Sequence, residues 1–276
     1  EPAYVLRMAL AADARDAAGV DAVFTRCADA LRAEFGTKPS TTTESAFVES
    51  RARAELSKDS QPQTTRDDQA TIDVQFATGA GGPVAYTLFG RGSETLVLIP
   101  GFVTHIEIGW AHPGFRDVVA RLAQRFTVIC FDRRGIGLSE RMGAVSTIAS
   151  AAADVLTILD AEGIERTWLF GSSEGGPAAI RLAALHGDRV AGLALFGAMA
   201  RGSRDTDYPW ALRREAYDTW MRTLVASWGG PADIETFAPA LQADPATRTW
   251  WARVLRHAAT PASLRAVLTG LRDADV

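Results

Sequence analysis

Between residues 96 and 196 the chain repeats one pattern: a short, uninterrupted apolar run, then a longer segment whose apolar residues recur at helical spacing. The runs are residues 96–99, 128–131, 168–170 and 193–196, and the helix-like segments are 115–124, 148–159 and 178–185. In 148–159, Ile148, Val155, Leu156 and Leu159 share a face. Strands that are apolar throughout must be covered on both sides, so the alternation predicts an α/β fold, a mainly parallel sheet between two layers of helix. Right-handed crossovers make that a doubly wound layer. Ahead of it, residues 71–77 and 84–89 flank Gly79, Gly81, Gly82 and Pro83 and read as strand, turn and strand.

The pattern stops on both sides. Residues 200–276 read as wholly helical, with breaks at Pro209, Gly229-Gly230-Pro231, Pro239, Pro245 and Pro261. They hold Trp210, Trp220, Trp228, Trp250 and Trp251, which as a group suit an apolar cap over a pocket. Residues 1–56 read as a small all-α segment of three helices. In the second, Val20, Val23, Phe24, Cys27, Leu31 and Phe35 form one stripe, and Gly36 stands at a left-handed stop. Residues 57–69 contain no large apolar side chain, which predicts a flexible linker over 57–70. The expected organisation is therefore helices 1–56, linker 57–70, α/β core 71–199 and helical cap 200–276.

Charge and composition narrow the partners. A net charge of −4 supplies no basic field for nucleic acid, so no direct nucleic-acid contact is expected from this chain. No run approaches the length of a membrane span, which predicts no membrane contact. The two cysteines, Cys27 and Cys130, lie far apart in apolar surroundings, which argues for a reducing, cytoplasmic setting. Scattered histidines and cysteines predict no metal site and a cofactor-free chemistry.

The chemistry concentrates at Gly171-Ser172-Ser173-Glu174-Gly175-Gly176-Pro177. This is Gly-x-Ser-x-Gly directly after an apolar run and directly before a helix, the context of a nucleophile elbow. Ser173 is the candidate nucleophile, and Gly171 and Gly175 are small because backbone passes close by. The oxyanion of an acyl-transfer intermediate needs two donors. The Glu174 N–H at the helix start is one, and the Phe102 N–H in the loop Pro100-Gly101-Phe102 is the other. Gly101, His105 and Trp210 are candidate pocket residues. Asp132 and Arg133, in Phe131-Asp132-Arg133-Arg134-Gly135-Ile136-Gly137-Leu138-Ser139, are expected to form a structural ion pair beneath the site. Gly-x-Gly-x-x-Gly is absent, which removes a dinucleotide reading.

With these motifs, together with Asp207-Tyr208-Pro209-Trp210, residues 71–276 resemble an α/β-hydrolase, of the bacterial subgroup fused to regulatory or nucleotide-cyclase domains. Ala30-Leu31-Arg32-Ala33-Glu34-Phe35-Gly36 and Pro39-Ser40 resemble the end of the helical bacterial transcriptional activator domain. That second resemblance implies a DNA-binding domain upstream of Glu1, and DNA as a partner only through it.

A serine hydrolase of this fold takes its acid and then its histidine from after the serine. His105 and His112 precede Ser173; His186 lies thirteen residues along the helix, roughly 20 Å away; His257 sits mid-helix in the cap. The chain starts at Glu1 and stops at Val276, so the resemblance implies a truncated piece of a longer protein, inactive by itself, with acid and base beyond Val276. The expected function is a serine hydrolase acting on a small apolar ester or related acyl substrate. The alternative is a non-catalytic module that senses a small molecule for a transcriptional regulator.

Overall fold

The computed structural model describes residues 1–13, 16–56, 72–141, 143 and 146–276. They fall into two compact units, 1–68 and 69–276. The expected linker, 57–70, lies outside the described residues.

In the first unit, α1 (Pro2–Asp13), α2 (Ala17–Phe35) and α3 (Thr41–Leu56) bury Met8, Ala12, Val20, Val23 and Ala54 together. The Asp16 carboxylate caps α2 by accepting the Gly19 N–H at 2.7 Å. Gly36 ends α2 at φ +65°, and the N–H groups of Gly36 and Thr37 donate to Arg32 and Leu31 carbonyls. Phe24 stacks on Phe47 at 4.2 Å. The stripe on α2 outruns its cover: Val20, Val23 and Cys27 are buried, whereas Phe35 is exposed.

In the second unit six strands, β1 (Gln75–Gly79), β2 (Gly82–Phe89), β3 (Glu94–Ile99), β4 (Phe126–Phe131), β5 (Thr167–Ser172) and β6 (Val190–Phe196), form one sheet in the order β1-β2-β4-β3-β5-β6. β2 is antiparallel to both β1 and β4, and β4, β3, β5 and β6 are parallel. Alternation along β4 serves two cores. Val128 and Cys130 pack with Ile106 of α4 (Ile106–Trp110) and Val119 of α5 (Pro113–Leu122). Ile129 and Phe131 pack with Val155 and Ile158 of α6 (Ile148–Ala161) and Leu182 of α7 (Gly175–Leu185). Each such fully buried aliphatic side chain contributes about 1.5–3 kcal/mol. Among the described residues β6 is the outermost strand on its side, with Leu193, Leu195 and Phe196 exposed.

The region after residue 200 differs from expectation. Helices are α8 (Arg214–Ala226), α9 (Ile234–Phe237), α10 (Pro245–Ala258) and α11 (Pro261–Arg272), but residues 201–213 are irregular. Asp205, Asp207 and Pro209 favour turns over helix, and Arg201 ties the segment to Asp207 and Asp275 by ion pairs. Pro245 and Pro261 stand in the first helical turn, behind the side-chain caps Asp244 and Thr260. The cap helices enclose Tyr217, Met221, Leu224, Leu255, Leu264 and Leu268, and this core reaches down to Phe102 and Ile136 in the loops after β3 and β4.

Candidate active site

Only two residues separate β5 from α7, so the chain must reverse sharply at Ser173. Ser173 adopts φ +51°, a left-handed conformation that costs a non-glycine residue about 1–3 kcal/mol. Two hydrogen bonds hold it there. Its N–H donates to the Phe196 carbonyl at 2.8 Å, and its own carbonyl accepts the Gly176 N–H at 3.0 Å. Crowding explains the glycines. A Cβ on Gly175 would stand 2.2 Å from the Ile99 carbonyl oxygen, and one on Gly171 2.8 Å from Gly176 Cα. Gly176, which the motif does not demand, is equally constrained, because its Cβ would meet that of Ala198 at 2.2 Å.

The loop after β3 lies against this turn. A Cβ on Gly101 would be 3.5 Å from Ser173 Cβ and 3.2 Å from Glu174 Oε2. Phe102 anchors the loop: its ring is buried against Phe237 at 5.6 Å and edge-on to Trp220 at 6.4 Å. The Ser173 hydroxyl donates to Glu174 Oε2 at 2.7 Å. Beside them a small pocket of about 50 Å³ is walled by Pro177, Met199, Tyr217, Leu271 and Ala274.

The expected pairing of Asp132 with Arg133 is corrected. Asp132 Oδ2 instead accepts the backbone N–H groups of Leu138 at 2.9 Å and Ile106 at 3.3 Å. The buried ion pair is Arg134–Asp154. The Asp132 carboxylate is taken up by backbone donors of the loops after β3 and β4 rather than by Arg133. Arg133 is 1% exposed, and its Nε and Nη2 have no hydrogen-bond partner among the described residues. Burial lowers its pKa, opposed by the charges of Glu174 and Asp154. Burial likewise pushes the Tyr217 hydroxyl up, and the Glu174 charge adds to that.

Asp132 is fully buried, which pushes its carboxyl up to about 6 against the pull of its backbone donors. His105 is pushed down to about 4, by burial first and then by His257. Their rings meet edge-on at 5.9 Å. Neither His105 nor Trp210 walls the pocket at Ser173: His105 is buried toward α10, and Trp210 is 76% exposed in the irregular segment. The other four cap tryptophans spend their N–H groups on the protein itself, on Asp233, Ala259, Ile108 and Ala232, as packing anchors do. Among the described residues no histidine side chain hydrogen-bonds Ser173. Two side chains beside Ser173 occupy positions where the Gly-x-Ser-x-Gly pattern specifies nothing: Glu174, whose carboxylate accepts the Ser173 hydroxyl, and Tyr217, which lines the pocket.

A family model described as the alpha/beta hydrolase fold matches residues 94–259. The chain is 31% identical over 132 residues to a putative carbamate hydrolase of Caulobacter vibrioides, covering 48% of this chain and 45% of that protein. It is 37% identical over 115 residues to a 2-hydroxy-6-oxononadienedioate/2-hydroxy-6-oxononatrienedioate hydrolase of Paraburkholderia phymatum, covering 41% and 39%. It thus spans less than half the length of either relative. Among solved structures, the enol-lactonase of Burkholderia xenovorans LB400 superposes with a TM-score of 0.57 at 25% identity, over 73% of this chain and 74% of that one.

Proposed function

The chain belongs to the α/β-hydrolase fold family, and on that premise we propose that Ser173 is the nucleophile of a serine hydrolase acting on an ester or related acyl carbon. One observation carries the reading: Ser173 is held at φ +51° between strand and helix, by hydrogen bonds and by glycines that admit no side chain. Strain of this kind collects at functional turns, and a nucleophile elbow uses it to present the serine hydroxyl.

In this reading the Glu174 N–H, at the start of α7, and the Phe102 N–H, in the loop packed on Ser173, hold the developing oxyanion. The buried Phe102 ring steadies this loop, which supports its N–H as the second donor. The small pocket, whose lining joins Pro177, Met199, Tyr217 and Leu271 with Arg201, receives a short acyl group. A sensory reading, in which the pocket binds a small molecule without turnover, is favoured by one observation, the lack of a histidine bonded to Ser173 among the described residues.

A fluorophosphonate probe separates the two. The hydrolase reading expects covalent labelling located at Ser173 by peptide mass spectrometry and lost in Ser173→Ala. The probe is applied to the full-length protein that carries this chain, and a full-length protein that stays unlabelled yet binds small acyl compounds would establish the sensor.

A further inference from the structure

Three of the chain's four histidines, His105, His112 and His257, stand where the cap helix α10 lies on the core. Two hydrogen bonds fasten α10 there: the Gly137 N–H donates to the Ala258 carbonyl at 2.9 Å, and the Trp250 Nε1–H to the Ile108 carbonyl at 2.7 Å. We propose that this seam binds a small oxyanion, a sulfate or a phosphoryl group, held between Arg141 of the core and His257 and Arg253 of the cap, with His105 beneath them. The site is separate from Ser173 and does not depend on its role.

The four groups gather around His257. Its ring meets the buried ring of His105 edge-on at 5.9 Å, its Nδ1 lies 2.8 Å from the Arg253 carbonyl oxygen, and its own carbonyl accepts Arg141 Nη2. Arg253 precedes His257 by four positions, so both side chains leave the same face of α10. Arg141 is held in turn by Gly137, whose carbonyl accepts its Nε at 2.8 Å. His105 is 8% exposed, and its Nδ1 has no hydrogen-bond partner among the described residues. Such an orphan is expected where an ion completes a site.

Charge sets the cluster apart. The whole chain carries −4, yet among the described residues neither Arg141 nor Arg253 forms an ion pair. Asp132, bonded to the residue after His105, uses Oδ2 on the N–H groups of Ile106 and Leu138, and exposed Glu107 forms no ion pair among the described residues. Like charges set across a seam cost free energy, and a bound anion offsets that cost. Burial first, then His257, Arg141 and Arg253, push the His105 pKa down to about 4, and a dianion among them acts in the opposite sense. Guanidinium forks fit tetrahedral oxyanions through paired N–H groups. One ion gripped by Arg141 and Arg253 ties core to cap, so its binding is coupled to the closure of α10 on the loops after β3 and β4.

The test is calorimetric titration of the full-length protein that carries this chain with sodium sulfate, at pH 6 and pH 8, at an ionic strength fixed with chloride. Sulfate stays doubly charged across that range, so tighter binding in acid belongs to the protein. Saturable binding is expected, with a Kd of about 1 mM or below at pH 6 and at least about threefold weaker binding at pH 8. R253Q is expected to weaken it at least about tenfold, because a charge-assisted partner is lost, and H257Q to flatten the pH dependence. The Arg253 guanidinium makes no hydrogen bond among the described residues, so R253Q should fold, which circular dichroism checks. No saturable binding beyond a chloride blank overturns the site, and that arm decides the matter even if R253Q fails to fold. Sulfate binding to R253Q and H257Q as to wild type places the ion elsewhere and also overturns it. Ethyl phosphate and inorganic phosphate at pH 8 separate the sources: tighter binding of the ester assigns the phosphoryl group of an organic molecule, equal or weaker binding the free ion, and either sustains the site.

Discussion

Replacing Asp132 by Asn should stabilise the protein at neutral pH. Asp132 is 0% exposed and binds two backbone N–H groups, yet burial dominates and lifts its carboxyl from 3.8 to about 6. The folded chain then holds the Asp132 proton more tightly than the unfolded chain. Stability is accordingly lost as pH rises from about 4 to about 6, and the loss is complete above 6. Lifting the carboxyl from 3.8 to about 6 amounts to about 3 kcal/mol. Asn copies the neutral carboxyl: its carbonyl accepts the same two N–H groups, and its NH₂ faces the Thr104 hydroxyl beside Asp132. The difference in unfolding free energy between Asp132→Asn and wild type, from urea denaturation at each pH, should be near zero at pH 4 and approach about 3 kcal/mol in favour of the variant at pH 7. His105 titrates in the opposite sense, its stability contribution rising as pH climbs from about 4 to 6.5. It is common to both proteins and cancels in the difference. A difference independent of pH, or a variant less stable at pH 7 than at pH 4 relative to wild type, refutes the reasoning.

Three further outcomes are expected. Ser173→Gly should be more stable than Ser173→Ala by about 1 kcal/mol in urea titrations, because only glycine is relieved of the φ +51° strain. Gly175→Ala should lower the thermal midpoint sharply, since its Cβ meets the Ile99 carbonyl at 2.2 Å and overpacking of this kind costs about 1–3 kcal/mol or more; a midpoint equal to wild type would mean the turn relaxes freely. Asp154→Ala should cost about 3–5 kcal/mol in chemical denaturation, because it leaves the Arg134 guanidinium, paired and largely buried, without its carboxylate.

The sheet was legible because both of its signals are local: apolar runs of strand length and glycines at the turns. β3, β4, β5 and β6 fall where the runs of 96–99, 128–131, 168–170 and 193–196 stand, each extended by a residue or more. Short α4 escaped notice because five residues carry too little period to see. Residues 201–213, expected to be helical but for a break at Pro209, are irregular because Asp205, Asp207 and Pro209 together favour turns. At the site, glycines flanking Ser173 announced themselves, since close backbone approach forces residue type. The Glu174 side chain and Tyr217 did not, because their meeting at one pocket depends on how α8 packs. The ion pair was assigned to Asp132 and Arg133 by adjacency, whereas Arg134 finds Asp154 twenty positions away on α6.

The uncharged strand β6 carries a practical consequence. Residues 190–196 include no charge, and Leu195 and Phe196 are 47% and 71% exposed. An apolar strand of this kind is an aggregation hazard wherever it stands uncovered. On warming, residues 1–276 handled by themselves should scatter light before their circular dichroism changes, and Leu195→Lys should delay that onset.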